Sequence, residues 1–229
     1  TGSSAIQSIP LIAEQAKHLT VFQRTPHYTV PAHNQPLDPE MVRQIKDHYS
    51  DYRAQARAVP PAVLFPVNED GAVEVSTAER QRVYEQRWDV GGVMFMGSFN
   101  DLLFSAEANE SAAAFVRSKI SEAVPDPEIA ELLSPHTVIG CKRLCVDTGY
   151  YATYTRPNVS LVDVRDTPIE ALTPSGIRVG DQEYAFDSIV FATGFDAMTG
   201  ALLKIDIRGR EGRKLKDKWH GGPRTYLGL

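Results

Sequence analysis

The chain opens with TGSSAIQ, a run of residues whose types and spacing could bind phosphate. Thr1, Gly2, Ser3, Ser4 and Ala5 fit the last five places of the pattern G-x-G-x-x-G/A, in which a tight turn leads into a helix. The first N–H groups of such a helix lie unpaired at the positive end of its dipole and can therefore hold a diphosphate. The same residues also fit an ordinary helix capped by serine, so the turn alone does not identify a ligand.

A second candidate is Arg24, followed by Thr25, at the place where a second strand would end. In a dinucleotide-binding fold the residue about 20 positions after the turn faces the adenosine ribose, and an acid there binds the free 2′-hydroxyl of NAD. A guanidinium instead suits a 2′-phosphate, which an acid would repel. Turn and arginine together predict NADP(H) rather than NAD(H); the alternative is that Arg24 is a surface residue at a strand end.

A third candidate is the basic pair Lys142 and Arg143, which follows Gly140 and Cys141. Two adjacent cations in a loop are usually solvated. They are also compatible with contacts to the cofactor phosphate and to the reacting centre. Spacing alone does not choose between these two interpretations.

A helix and a strand must position the first two candidates. Apolar residues recur every three or four positions between residues 3 and 17, which predicts a helix with one buried face. Residues 18–23 (HLTVFQ) are rich in β-branched and aromatic side chains, which predicts a short strand. Helix followed by strand is the second half of a βαβ unit, so we predict that residues 1–36 begin an NADPH-binding domain.

Between residues 37 and 136 the sequence has patterns typical of helices and not of strands, and we interpret this block as a helical insertion. Asp38 followed by Pro39 is a typical helix start, and the helix is predicted to run to about Ala58. Further helices are predicted at 78–87, 99–104, 110–123 and 126–133.

Strand patterns return in residues 137–200, the predicted second part of the NADPH-binding domain. Residues 159–164 alternate apolar and polar side chains, and residues 187–192 (DSIVFA) predict a buried parallel strand. Three short runs separated by turn residues predict an antiparallel meander: 169–172, 176–179 and 184–186. The fold class is therefore α/β, a Rossmann-like domain whose first strand is missing, with a helical insertion and a small antiparallel meander.

Composition limits the other possibilities. The net charge of −5 argues against a general nucleic-acid or membrane surface. The two cysteines are too few for a disulfide framework, and neither they nor the six histidines have metal-ligand spacing, so we predict no metal site. A reducing, cytoplasmic location is the expected setting.

Four long stretches resemble the type I Baeyer–Villiger monooxygenases, flavoenzymes that convert ketones into esters or lactones. TGSSAIQSIPLIAEQAKHLTVFQRTP is similar to their NADPH-binding segment, CKRLCVDTGYYATYTRPNV to the segment that returns from the insertion, and IVFATGFDAMTGAL to their ATG motif. KDKWHGGPRTYLGL is similar to the chain that leads back toward the FAD domain, so residues 201–229 are expected to be that crossover. The resemblance implies an internal fragment, with partner segments of the FAD domain missing from this chain.

The resemblance also implies roles for individual residues. Residues 1–7 (Thr1, Gly2, Ser3, Ser4, Ala5, Ile6 and Gln7) would bind the diphosphate of NADP(H), while Arg24, Thr25 and Lys142 would hold its 2′-phosphate. Arg143 resembles the family's active-site arginine, which steadies an anionic C4a-peroxyflavin made from FAD and O₂ before it attacks the ketone. Thr193 and Gly194 belong to the ATG turn near the flavin-domain junction.

Two other functions stay open at this point. One is a different flavoprotein with two dinucleotide domains, such as an N-hydroxylating monooxygenase; a disulfide reductase is disfavoured because no redox CxxC is present. The other is an NADP-binding module without catalysis, since the flavin site would be incomplete and the fragment alone is expected to be inactive.

Overall fold

The computed structural model describes residues 2–59, 62, 64, 66–194 and 199–226. Its contacts divide the chain into two compact units, Thr1–Ala192 and Thr193–Leu229. The first unit holds most of the elements predicted for a dinucleotide-binding domain. The finer division at residues 36, 136 and 200 remains a prediction.

The chain begins with helix α1 (Ser3–Gln15) and strand β1 (Leu19–Gln23), within the predicted bounds. Strand β4 (Val159–Asp163) pairs with β1 in parallel, from Leu19 opposite Val159 to Gln23 opposite Asp163. The face of α1 that is buried carries Ala5, Ile6, Ile9 and Ala13, which is the periodicity that the sequence indicated. Pro10 lies inside α1 without ending it.

A second parallel pair was not foreseen from the sequence. Strand β2 (Thr29–Pro31) lies beside β3 (Cys145–Asp147), with Thr29 opposite Cys145. Each strand has only three residues, too few to show an alternating pattern. Helix α1 packs against β3 and against the short helix α7 (Tyr150–Thr153), so β3 lies next to the helix whose first turn is the candidate phosphate site.

The block between these strands is helical, as predicted. It contains α2 (Pro39–Asp47), α3 (Tyr49–Ala58), α4 (Thr77–Val90), a 3₁₀ turn (Gly92–Gly97), α5 (Ala106–Ala123) and α6 (Pro127–Leu133). Side-chain caps begin four of the helices, among them Ser105 on α5 and Asp126 on α6. The interior of the block is a cluster of aromatic rings: Tyr84, Trp88, Phe95, Phe99 and Phe115.

The predicted meander is present. Strands β5 (Ile169–Leu172), β6 (Gly176–Val179) and β7 (Gln182–Ala185) form an antiparallel sheet in the order β5-β6-β7. Within the second unit, α8 (Gly200–Lys204) and α9 (Leu215–Lys218) flank an antiparallel bridge between Arg208 and Lys214.

Three predictions about elements were wrong. Residues 187–192 form no strand, and Val190 and Phe191 are 66 and 65% exposed, because no described strand lies beside them to accept their hydrogen bonds. Residues 99–104 form turns instead of a helix; the Asp101 carboxylate accepts the Ala72 amide at 2.8 Å and so holds a neighbouring loop. The helix predicted to run to Ala58 is broken at His48, whose φ and ψ are −115° and 26°.

Candidate functional site

The first turn of α1 has the features of an anion site. Gly2 is the N-cap, no side chain caps the turn, and the turn contains no acidic residue. A Cβ placed on Gly2 would meet no atom within 4 Å, so there is open space beside the turn. Ser3 and Ser4 are exposed there, and the helix dipole favours negative charge at this end. Thr1, predicted to share this site, lies outside the described residues.

The other residues of the predicted diphosphate turn differ in how far they are buried. Ala5 and Ile6 are buried in the core, consistent with the prediction that a small residue at position 5 allows close packing. Gln7 is exposed. The side chains of Ala5 and Ile6 therefore face the protein interior, and only their backbone groups remain for a ligand.

Contacts bring this turn close to the start of β3. Burial raises the pKa of the Cys145 thiol, and a hydrogen bond with the Ser3 side chain opposes that rise. The Cys145 amide also donates to the Tyr28 carbonyl at 3.4 Å. The first turn of α1, the residues after β1 and the loop before β3 therefore meet in one region.

His27 belongs to the same region and was not foreseen as a site residue. Its Nδ1 lies 2.8 Å from the Tyr28 carbonyl oxygen. Burial lowers the pKa of the His27 imidazole, the bond to Tyr28 raises it, and the positive charge of Lys142 lowers it again. Lys142 is therefore near enough to act on His27. The sequence signal for His27 was its position three residues after Arg24 in the loop that follows β1.

The three basic candidates are exposed. Arg24 follows β1 directly, and Lys142 and Arg143 lie in the loop before β3. Within the ranges that the structure describes, none of the three charged groups has an ion-pair partner. Exposed cations without a carboxylate partner keep their positive charge available to an anion, in a chain whose net charge is −5. Thr25 is partly buried beside Arg24.

Asn109 holds the loop that carries Lys142 and Arg143. Its buried amide nitrogen donates to the Leu102 carbonyl at 2.8 Å and to the Ile139 carbonyl at 2.9 Å. Its amide oxygen accepts the Ile139 N–H at 3.0 Å. The insertion thus fixes the backbone just before Gly140, which the sequence did not reveal because the partners are 30 residues apart.

Gly140 is required by its backbone conformation. Its φ is +89°, whereas the atoms nearest an added Cβ, Leu103 Cδ2 at 2.9 Å and Met96 Cε at 3.1 Å, are the ends of flexible side chains that can shift. We expect Gly140→Ala to lower the free energy of unfolding by about 1–2 kcal/mol, because left-handed geometry opposes the side chain. Gly149→Ala is the matched control, since its φ is +77° and an added Cβ would meet no atom within 4 Å, and it should lower the free energy of unfolding by a similar amount. A much larger loss for Gly140→Ala than for Gly149→Ala in urea unfolding would contradict this account.

His27 predicts a dependence of stability on pH. Because its pKa is lowered in the folded protein from the ordinary value of 6.5, folding disfavours the protonated form. Stability should therefore decline as pH falls below 6.5 and stop declining below the lowered pKa. His27→Gln should lose less stability between pH 7.5 and 5.5 than the unaltered protein does, measured by urea unfolding. The control is His18→Gln, which replaces an exposed histidine and should lose as much stability over this pH range as the unaltered protein does. If both variants lost less stability than the unaltered protein by the same amount, the assignment to His27 would be contradicted.

Thr193 and Gly194 lie at the start of the second unit. Gly194 has a φ of +84° and no atom within 4 Å of an added Cβ. The contacts of the first unit link Ser3, His27, Tyr28, Lys142 and Cys145. That Arg24, Thr25, Arg143, Thr193 and Gly194 belong to the same site remains a prediction.

No helix among the described residues combines the length with the apolar character that crossing a bilayer requires. Among the same residues, no group of three or more His, Cys, Asp or Glu side chains is arranged to hold a metal ion.

The chain is similar over its whole length to part of several monooxygenases. It is 42% identical to 2-oxo-Δ³-4,5,5-trimethylcyclopentenylacetyl-CoA monooxygenase of Pseudomonas putida and 41% identical to a Baeyer–Villiger monooxygenase of Pseudooceanicola batsensis, covering 42% of each. It is 38% identical to a phenazine N-monooxygenase of Lysobacter antibioticus, of which it covers 43%. No protein-family model matches the chain.

Solved structures show the same relationship. A steroid monooxygenase bound to NADP superposes with a TM-score of 0.91 at 50% identity, over all of this chain and 44% of that one. The monooxygenase OTEMO in complex with FAD and NADP superposes with a TM-score of 0.96 at 42% identity, over all of this chain and 43% of that one. The chain thus spans less than half the length of the proteins it matches, and its α/β fold is that of a part of them.

Proposed function

We propose that this chain is the NADPH-binding part of an FAD- and NADPH-dependent Baeyer–Villiger monooxygenase, which converts cyclic or aryl ketones into esters or lactones. The observation that carries the proposal is the alignment of the whole chain, at 41–42% identity, with monooxygenases that include a named Baeyer–Villiger enzyme. The superposition on an FAD and NADP complex supports both cofactors.

The residues around the first turn of α1 fit NADPH. The uncapped N–H groups after Gly2, with the hydroxyls of Ser3 and Ser4, suit the diphosphate, and the turn has no acid to repel it. Arg24 with Thr25 would hold the 2′-phosphate, and Lys142 would add a second cation to the same group. The absence of carboxylate partners for Arg24 and Lys142 among the described residues supports these roles, because their donors are free for a phosphate.

Arg143 is the residue to which we assign a role in the reaction. When bound and reduced by NADPH, FAD would activate O₂ for transfer of one oxygen atom to the ketone. The Arg143 guanidinium would stabilise negative charge on the oxygens near the carbonyl carbon. Arginine suits this task because it keeps its own proton at all working pH values. Thr193 and Gly194 would lie where the chain turns toward the flavin.

The parent protein would contain FAD-binding segments that are not in this chain. Residues 1–36 and 137–200 would then form the NADPH-binding domain, 37–136 its insertion and 201–229 the crossover. The two free thiols, Cys141 exposed and Cys145 buried, support a reducing, cytoplasmic location.

The test is product analysis of the full-length FAD holoenzyme with NADPH, O₂ and a panel of cyclic and aryl ketones. We expect an ester or lactone that contains one oxygen atom from ¹⁸O₂, with one NADPH oxidised for each product. NADPH oxidation without any oxygenated product from the panel would contradict the proposal.

N-oxygenation is the second candidate, because one relative at 38% identity is named a phenazine N-monooxygenase. The same holoenzyme should therefore also be supplied with aromatic N-heterocycles. An N-oxide as the main product, with ketones unchanged, would favour this candidate over the first.

A further inference from the structure

The side chain of Tyr151 makes two hydrogen bonds to the backbone just before and at the start of β2. Its hydroxyl donates to the His27 carbonyl at 3.2 Å and accepts the Thr29 N–H at 3.3 Å. Tyr151 lies on α7 and is buried. Burial raises the pKa of its hydroxyl, which therefore keeps the proton that it donates to His27. One buried side chain thus holds the backbone of residues 27–29.

The Asp147 carboxylate attaches α7, and with it Tyr151, to β2. It accepts a hydrogen bond from the hydroxyl of Thr29, which is fully buried, and another from the Tyr150 N–H at 2.9 Å. The Tyr150 ring also contacts the Tyr151 ring, with centroids 5.2 Å apart. Tyr151 is therefore itself held in place where it reaches residues 27–29.

Residues 24–26 form a short loop between two fixed points. At one end Gln23, the last residue of β1, is buried, and its side-chain nitrogen donates to the Leu132 carbonyl at 2.8 Å. At the other end the Tyr151 hydroxyl holds the His27 carbonyl. Because only three residues separate Gln23 from His27, their backbone has little freedom while both ends are held.

We infer that Tyr151 is a positioning residue for NADPH: by holding the His27 carbonyl, it fixes the loop that presents Arg24 and Thr25 to the 2′-phosphate. The inference rests on the proposed function in the assignment of Arg24 and Thr25 to that phosphate. A guanidinium binds a phosphate well only when its planar fork meets the oxygens in the right geometry, so a displaced loop weakens the contact. NADH has no 2′-phosphate, and its binding should depend little on Tyr151.

The test is the affinity of the full-length FAD holoenzyme for NADP⁺ and for NAD⁺, measured by isothermal titration calorimetry. Tyr151→Phe removes both hydrogen bonds and keeps the ring. We expect it to weaken the binding of NADP⁺ roughly 10-fold and that of NAD⁺ less than about 2-fold. Tyr154→Phe is the matched control, because this buried tyrosine donates to the Tyr150 hydroxyl at 3.1 Å and not to residues 27–29. It should leave the ratio of the two affinities unchanged.

A double variant tests whether Tyr151 acts through Arg24. Adding Tyr151→Phe to Arg24→Ala should weaken the binding of NADP⁺ by less than about 3-fold beyond Arg24→Ala alone, because the contact that Tyr151 supports is already lost. Hydrogen exchange gives a readout that needs no ligand. Amides in peptides that cover residues 24–29 should exchange faster in Tyr151→Phe than in the unaltered holoenzyme or in Tyr154→Phe.

Three binding results would overturn the inference. They are affinities for NADP⁺ and NAD⁺ that Tyr151→Phe leaves unchanged or lowers equally, the same selective loss in Tyr154→Phe, and a fully additive loss in the double variant. Rapid exchange of the Thr29 amide in the unaltered holoenzyme would also overturn it, whether or not Tyr151→Phe folds. Because binding does not require turnover, a holoenzyme that shows the selective loss yet leaves ketones unchanged would contradict the proposed oxygenation alone.

Discussion

Arg143→Ala in the full-length FAD holoenzyme should abolish ester formation while NADPH is still consumed. Arg143 is exposed in the loop before β3, and no described carboxylate neutralises it, so its charge is available to a reacting group. Removing one preorganised donor from a developing oxyanion costs roughly 10²–10³ in rate. We therefore expect ester formation to fall at least about 100-fold, with NADPH oxidation falling much less. Parallel assays of NADPH loss and of product by gas chromatography measure the two rates.

The control for this variant is Arg156→Ala, which removes another exposed arginine, from the segment between α7 and β4. It should keep ester formation coupled to NADPH oxidation. Arg143→Lys should restore little of the ester formation lost in Arg143→Ala, because an ammonium has a different shape from a guanidinium and can give up its proton. A normal ester yield from Arg143→Ala would show that the arginine has no part in the oxygenation.

Arg24→Ala should weaken the binding of NADPH much more than the binding of NADH. The guanidinium would meet only the 2′-phosphate, which NADH lacks, so the variant loses an interaction specific to NADPH. A hydrogen bond to a charged group contributes about 1.5–3 kcal/mol, which corresponds to a rise in KM for NADPH of roughly 10- to 100-fold. The KM for NADH should change less than about 3-fold. Steady-state kinetics with both cofactors measures the ratio.

Lys17→Ala is a control for the loss of one positive charge, because this exposed lysine lies beyond the far end of α1, after Gln15. It should leave the preference for NADPH unchanged. Arg24→Asp should raise the KM for NADPH relative to that for NADH even more than Arg24→Ala does, because a carboxylate suits a 2′-hydroxyl and repels a phosphate. If Arg24→Ala raised both KM values equally, the 2′-phosphate would not be the group that Arg24 contacts.

Most of the individual elements could be predicted from the sequence. The apolar face of α1, the cap Asp126 and the turns of the meander each depend on residues within about four positions of one another, and local preferences determine them. The turn around Gly2 and the spacing to Arg24 are likewise signals within one short stretch of chain. These signals are sufficient to predict a nucleotide ligand that carries a 2′-phosphate.

The strand predicted at 187–192 shows the limit of this reasoning. Its composition is that of a buried strand, but a strand exists only when a neighbour satisfies its backbone groups. No described residue does so, and Phe191 is 65% exposed. An apolar pattern indicates that a segment will be buried, without saying which partner buries it.

Short-range patterns along the chain specify most of the helices and strands. They also supply the residue types of the candidate site: a glycine turn into α1, Arg24 after β1 and the pair Lys142 and Arg143. Three long-range interactions are visible only in the folded protein. They are the hydrogen bond between Ser3 and Cys145, the effect of the Lys142 charge on the pKa of His27, and the hydrogen bond from Asn109 to the Ile139 carbonyl. Residues separated by 30 to more than 100 positions have no periodic signal in common. Their contacts arise when parallel strands and packed helices bring distant parts of the chain together.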